Sequence, residues 1–207
     1  MSNSPKWLEW AQRLQALSQS GLTYSTNPFE IERYHAISDI AAEISACGCD
    51  APFEVIKTVF DQQSGYATPK VDVRGVVFKG EKILLVKEAA DGLWTLPGGW
   101  VDVDEPPSEA VEREVREESG YIVKARKLLA VLDRRRHGHP AYIFHIYRMY
   151  FLCDWIGGEP ATSIETQGAE YFGENEIPEL SLARTTPEVL AILFRHFNEP
   201  DRPTDFD

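Results

Sequence analysis

The chain has 207 residues, 43% of them hydrophobic, with 33 acidic against 21 basic side chains and a formal net charge of −12. That length allows one large domain or a small one plus a medium one, and a charge of that sign excludes a nucleic-acid backbone as partner, which needs clustered positive charge. No signal peptide and no apolar run long enough to span a bilayer is present, so no membrane association and a cytoplasmic location are expected.

Residues 1–65 read as a helical N-terminal domain. Trp7, Trp10, Ala11, Leu14 and Leu17 recur at helical spacing, and Gly21 is expected to close that helix. A second helix opens at Asn27-Pro28, a cap followed by a first-turn proline, and carries Ile31, Tyr34, Ile37, Ala41 and Ile44. A third begins at Asp50 with Pro52 and buries Phe53, Ile56, Val59 and Phe60. So short a segment cannot bury all of this apolar surface by itself, so a homodimer contact is expected here. A helix-turn-helix is disfavoured, because no basic recognition face is present. Cys47 and Cys49 stand too close for the usual zinc spacing and Cys153 stands alone, which suggests a reducing compartment. Residues 62–68 read as a hinge.

The pattern then changes to strands. Val71, Val73, Val76 and Val77 begin one, Gly80 turns it, Ile83 to Val86 returns, and Leu93 to Leu96 leads into Pro97-Gly98-Gly99. A charged helix follows, with Asp104 or Glu105 as expected cap, Pro106 and Pro107 in its first turn, and Ser119-Gly120 at its end. Beyond it come a strand over Ile122 to Leu132, a basic loop from Arg134 to Pro140, and a long strand from Ile143 to Cys153 turned by Gly157-Gly158. Ala169 to Phe172 resumes the sheet, and Pro187 opens a last helix with Val189, Leu190, Leu193, Phe194 and Phe197 on one face. Strands around one central helix and a terminal one imply an α/β/α sandwich with a mixed sheet over residues 70–198, while the polar tail 199–207 is expected to be disordered.

Within the charged helix Glu114, Glu117 and Glu118 stand at i, i+3 and i+4 and share one face; Ala110 leaves room beside them, and Val111 and Val115 form the docking stripe. A run of this kind is commonly a solvated face laced by arginines, here Arg113 and Arg116. Clustered carboxylates also suit magnesium or manganese, hard cations that take oxygen ligands. The flank favours the second reading, since Gly98-Gly99 permits close backbone approach to an ion or phosphate.

Gly99, Glu105, Arg113, Glu114, Val115, Glu117, Glu118 and Gly120 fall at the spacing of the Nudix box, which this stretch resembles at every charged and glycine position; Tyr121 stands at its final aliphatic place. GLTYSTNPFEIERY and GYATPKVDVRGVVF resemble bacterial Nudix hydrolases with an added helical N-terminal domain, a subgroup associated with ADP-ribose and CDP-choline pyrophosphatase activity. The proline that typical ADP-ribose pyrophosphatases carry past the box is matched only a few residues late, by Pro140.

The implied chemistry is metal-dependent hydrolysis of the pyrophosphate bond in a nucleoside diphosphate linked to another moiety. The alternatives are a nucleoside triphosphate pyrophosphatase and, in another class, a nucleotide-metabolite sensor without turnover. Glu114, Glu117 and Glu118 are the expected Mg2+ or Mn2+ ligands, with the Gly99 carbonyl as a fourth. Arg113 would orient a carboxylate, and Glu105 either holds the loop or reaches metal through water. Glu165, Glu118, Arg113 and Glu105 are the expected catalytic residues; a carboxylate bound to metal is a poor base, so a further acid is expected on a loop, with Glu165 and Glu170 as candidates and the resemblance favouring Glu165. In the basic loop Arg134, Arg136 and His139 are candidates for substrate phosphate. Trp94, Trp100 and Tyr142 are left between packing and stacking on a base.

Overall fold

The computed structural model describes residues 5–207; residues 1–4, the start of the expected helical domain, lie outside them. The chain divides into two compact units: Met1–Pro69 with Ala141–His145, and Lys70–Pro140 with Ile146–Asp207.

The first unit holds α1 (Lys6–Tyr24), α2 (Pro28–Cys49) and α3 (Phe53–Asp61). The Asn27 side chain caps α2 by accepting from Phe29 N–H at 2.9 Å. Gly21 does not end α1, which runs on to Tyr24. Its place is set by packing, because the Tyr34 ring lies where a Cβ would stand, and Gly48 admits the Trp7 ring in the same way. Ala41, Ala42, Ile56 and Phe60 form the core, joined by Ile143. Residues 141–145 therefore belong with the helices: Gln12 Nε2 donates to the Tyr142 and Ile143 carbonyls, each at 3.1 Å. The strand expected from Ile143 begins only at Ile146 for this reason.

The second unit contains β1 (Lys70–Val76), β2 (Phe78–Lys79), β3 (Lys82–Glu88), β4 (Trp94–Thr95), α4 (Pro107–Ser119), β5 (Tyr121–Asp133), β6 (Ile146–Gly158), β7 (Thr166–Gly173), α5 (Pro187–Asn198) and β8 (Asp205–Phe206). One sheet runs β1-β6-β5-β8, mixing parallel and antiparallel pairs; in the other, β3 pairs with β2, β4 and β7. Thus β1 does not return onto β3: it pairs in parallel with β6, and the short β2 makes the hairpin with β3.

Alternation along β3 divides the core. Leu84 joins the cluster under Val111 and Val115 of α4, whereas Ile83 and Leu85 join the cluster under Val189, Leu190, Leu193 and Phe194 of α5. This is the α/β/α sandwich that the sequence implies. The tail is not disordered. Asp205–Phe206 pairs with Ala130–Val131, Arg202 forks onto Asp205, and Lys127 Nζ donates to the carbonyls of Pro200 and Arg202 at 2.7 Å.

Candidate active site

The site is built on the entry to α4. Gly75 N–H donates to the Pro97 carbonyl at 2.8 Å and Val73 N–H to the Gly99 carbonyl at 2.9 Å, so β1 fixes the glycine turn from behind. Gly98 has φ 142, and a Cβ there would stand 2.8 Å from Arg74 Cα. A Cβ on Gly99 would stand 2.8 Å from Glu114 Oε1, so the turn presses directly on the helix carboxylates.

The helix starts at Pro107 with Pro106 as its cap residue and no side-chain cap bond. Neither expected cap serves, because Glu105 is committed elsewhere: its two oxygens accept from Arg113 Nε and Nη2, each at 2.9 Å. Arg113 Nη1 then donates to Glu114 at 2.8 Å and Glu117 at 3.2 Å. Glu105 thus acts through Arg113, and Arg113 orients two acids.

Glu118 points inward, only 6% exposed, and its Oε2 accepts from Gly98 N–H at 2.8 Å. Burial pushes its acid up to about 8; Arg74 and the Gly98 N–H pull it down, while Glu114 and Glu88 raise it further. Burial also raises Glu114 against the pull of Arg113. Glu117 is half exposed.

Behind the turn lies a buried ion cluster. Arg74 forks onto Asp72 at 2.9 and 2.8 Å and donates to the Leu96 carbonyl at 3.2 Å. Arg148 Nε stands 3.2 Å from Asp72 Oδ1 without hydrogen-bond alignment. Burial alone would raise Asp72, but Arg74 and Arg148 together hold it below the usual carboxylate range.

Of the two candidate bases, Glu165 lies exposed on the loop before β7. Ala89 N–H donates to its carbonyl at 2.8 Å, and neighbouring Thr166 donates through Oγ1 to the Glu118 carbonyl at 2.6 Å. Glu170 is exposed within β7, paired with Leu85.

The basic loop is different from its sequence reading. Arg134 is buried and donates to the Pro140 and Ala183 carbonyls, at 2.8 and 3.2 Å. His139 is buried between the Leu182 carbonyl and Arg148, and burial plus that guanidinium push it down to about 3, so it is neutral. Both are held on carbonyl partners inside the fold, and His139 presents no positive charge. Arg136 keeps a half-exposed side chain, 3.8 Å from Asp207. Trp94 packs edge-on against Phe172 and Tyr142 against Phe144, whereas Trp100 is part-exposed.

Residues 68–193 match the NUDIX domain family, and residues 5–60 match the family described as UDP-X-like, N-terminal oligomerisation domain. The chain belongs to the Nudix hydrolases. It is 43% identical, over 98% of its length and 97% of the relative's, to a Bacillus subtilis (strain 168) protein provisionally named an ADP-ribose pyrophosphatase. A Methanocaldococcus jannaschii ADP-ribose pyrophosphatase is 38% identical over 56% of this chain and 69% of its own. Among solved structures, a UDP-X diphosphatase aligns over all of both chains at 30% identity with TM-score 0.64. An ADP-ribose pyrophosphatase of Streptococcus suis 89-1591 aligns over 68% of this chain and 100% of its own, at 38% identity and TM-score 0.62.

Nudix hydrolases generally use divalent metal ions, and the donors of this Nudix hydrolase fit one in kind. Glu118 is a buried carboxylate beside two further acids, and Glu114 presses on the Gly99 turn, so negative charge is concentrated where a hard cation finds oxygen ligands. Among the described residues no three His, Cys, Asp or Glu side chains are grouped to hold an ion, and Arg113 donates to both Glu114 and Glu117. The Gly99 carbonyl already accepts from Val73, which leaves it one lone pair.

Sequence reasoning missed Glu88, Arg184 and the Asp72–Arg74 pair. Glu88 ends an apolar strand yet is buried against Arg184 at 2.8 Å. A charge closing the run Ile83-Leu84-Leu85-Val86-Lys87-Glu88 was the available signal.

Proposed function

We propose that this Nudix hydrolase is a metal-dependent pyrophosphatase of nucleoside diphosphates linked to a second moiety, with ADP-ribose as leading substrate and UDP- or CDP-linked compounds as the next class. The observation that carries this reading is Glu118, buried and fixed by Gly98 N–H beside Glu114 on the glycine turn. The names of the relatives support the ADP-ribose choice.

Glu114, Glu117 and Glu118 would hold Mg2+ or Mn2+, with the free lone pair of the Gly99 carbonyl beside them. Bound there, such a cation lowers the pKa of water and offsets charge on phosphate oxygens. Gly98 N–H keeps Glu118 in place, and Glu105 holds Arg113 so that Glu114 and Glu117 stay oriented. Glu165, on its exposed loop, takes the proton of the attacking water. The water oxygen adds to one phosphorus and the bridging oxygen leaves with the other, giving nucleoside monophosphate and a phosphorylated partner.

The same reading includes a homodimer formed through the N-terminal helices. Trp10, Leu17 and Tyr24 are exposed at seven-residue spacing, which puts them on one face of α1, in the region matching a family described as an oligomerisation domain.

The test is a panel of ADP-ribose, CDP-choline, a UDP-sugar and ATP at equal concentration with Mg2+, read by chromatography. Nucleoside monophosphate from one or more linked diphosphates, faster than any release of pyrophosphate from ATP, is expected. Preference for ATP assigns the triphosphate reading instead, and no turnover of any compound sinks the enzyme reading.

A further inference from the structure

The proposed substrate is a polyanion and the protein carries −12, so a side-chain cation near the acids, besides any bound metal, would favour a phosphate there. Arg134 and His139 are buried on carbonyl partners, Arg136 stands 3.8 Å from Asp207, and Arg113 is engaged by Glu105, Glu114 and Glu117. The geometry points to Arg184, in the segment between β7 and α5, as the residue that anchors a substrate phosphate; this rests on the pyrophosphatase reading above.

Its place is fixed on three sides. Arg184 N–H donates to the Ser181 carbonyl at 2.8 Å, and its own carbonyl accepts from buried Arg148. Nε stands 2.8 Å from Glu88 Oε1, and Nη1 donates to Ser181 Oγ at 3.3 Å, with Asp91 at 3.8 Å. Among the described residues Nη2 makes no hydrogen bond, and the side chain is 34% exposed. With Nε beside a buried carboxylate and Nη1 on Ser181, the guanidinium is held in place, and Nη2 between them is the donor left for a phosphate oxygen.

Its neighbours link it to the segments that carry the acids. Thr185, the next residue, accepts through Oγ1 from Leu96 N–H at 3.0 Å, immediately before Pro97-Gly98-Gly99. Glu88, its ion-pair partner, is opposite Thr166, which donates to the Glu118 carbonyl, and Ala89 N–H holds the Glu165 carbonyl. Thr185 and Glu88, the chain neighbour and the ion-pair partner of Arg184, therefore connect it to the glycine turn, to α4 and to the loop of the proposed base. A phosphate on Nη2 would leave the second phosphate of the diphosphate for the carboxylate centre.

The experiment measures ADP binding by calorimetry in chelator, and kcat and KM for ADP-ribose with Mg2+, on wild type, Arg184→Met and Arg184→Lys. Arg184→Met should weaken ADP binding roughly 10- to 100-fold, the scale of one charged hydrogen bond. It should raise KM similarly and change kcat less than about threefold. Arg184→Lys keeps the charge without the fork and should fall between, which still carries the test if the methionine variant does not fold. Unchanged ADP affinity in either folded variant, or no ADP binding by wild type, overturns the assignment. If ADP binding depends on Arg184 while no linked diphosphate is turned over, the anchor stands and the pyrophosphatase reading fails; turnover indifferent to Arg184 gives the reverse.

Discussion

His139 shows how far burial can change a residue's chemistry. Burial and Arg148 hold its acid at about 3 against the ordinary 6.5, and the 3.4 Å contact from Arg148 fits an imidazole that accepts through Nε2 and donates through Nδ1 to Leu182. Between those values the unfolded chain binds a proton that the folded one does not, so stability rises with pH there and is lost on acidification below about 6.5. For this group alone the loss from pH 7 to pH 5 is about 2 kcal/mol, or about 4–8 °C in Tm for a chain of this size. His139→Gln should remove that part of the dependence, so its Tm falls less over the same interval. Equal slopes for the two proteins would show that folding does not lower the proton affinity of His139. The sequence displays a histidine in a basic loop and gives no sign of this, because Arg148 on β6 and Leu182 before α5 meet it only in the folded chain.

At the scale of elements, what was legible followed from short-range physics. The Asn27-Pro28 cap, the Gly120 helix end at φ 78 and the apolar faces of α4 and α5 are local, and the structure has them where spacing puts them. What was not legible depends on pairing partners. Alternation in Val71-Asp72-Val73-Arg74 reads as apolar in and polar out, yet Asp72 and Arg74 are buried, because an ion cluster replaces water on that face. Likewise β1 pairs with β6 rather than β3, which no local pattern encodes, and the tail becomes β8 because β5 offers it an edge. The assignment of the base also belongs here, since it contrasts a loop with a strand. Glu165 sits on the loop tied to Glu118 through Thr166, whereas Glu170 is fixed in the β7 ladder. Glu165→Gln is expected to lower kcat roughly 10²–10⁴-fold with little change in KM, and Glu170→Gln to leave both near wild type. The reverse ordering would move the role to Glu170.

For the whole molecule, two features of the sequence organise the reading: an apolar helical N-terminal unit and an acidic box on a glycine turn. Trp10 at 55%, Leu17 at 64% and Tyr24 at 71% exposure form the apolar stripe of α1. Leu17→Glu should turn a dimer into a monomer at micromolar concentration by light scattering, with the Tm of each unit retained. A wild-type monomer, or a variant that remains dimeric, counts against dimerisation through this face. Among the described residues no helix is long and apolar enough to cross a membrane. Glu118 is central to the proposed site, and the most direct measurement is hydrolysis of ADP-ribose with Mg2+ by wild type and by folded Glu118→Gln. Wild type is predicted to release AMP and ribose 5-phosphate, and the variant to lose at least ~10²-fold in kcat together with the rise in Tm that Mg2+ gives the wild type. A folded variant with undiminished turnover and an undiminished Mg2+ response would contradict it.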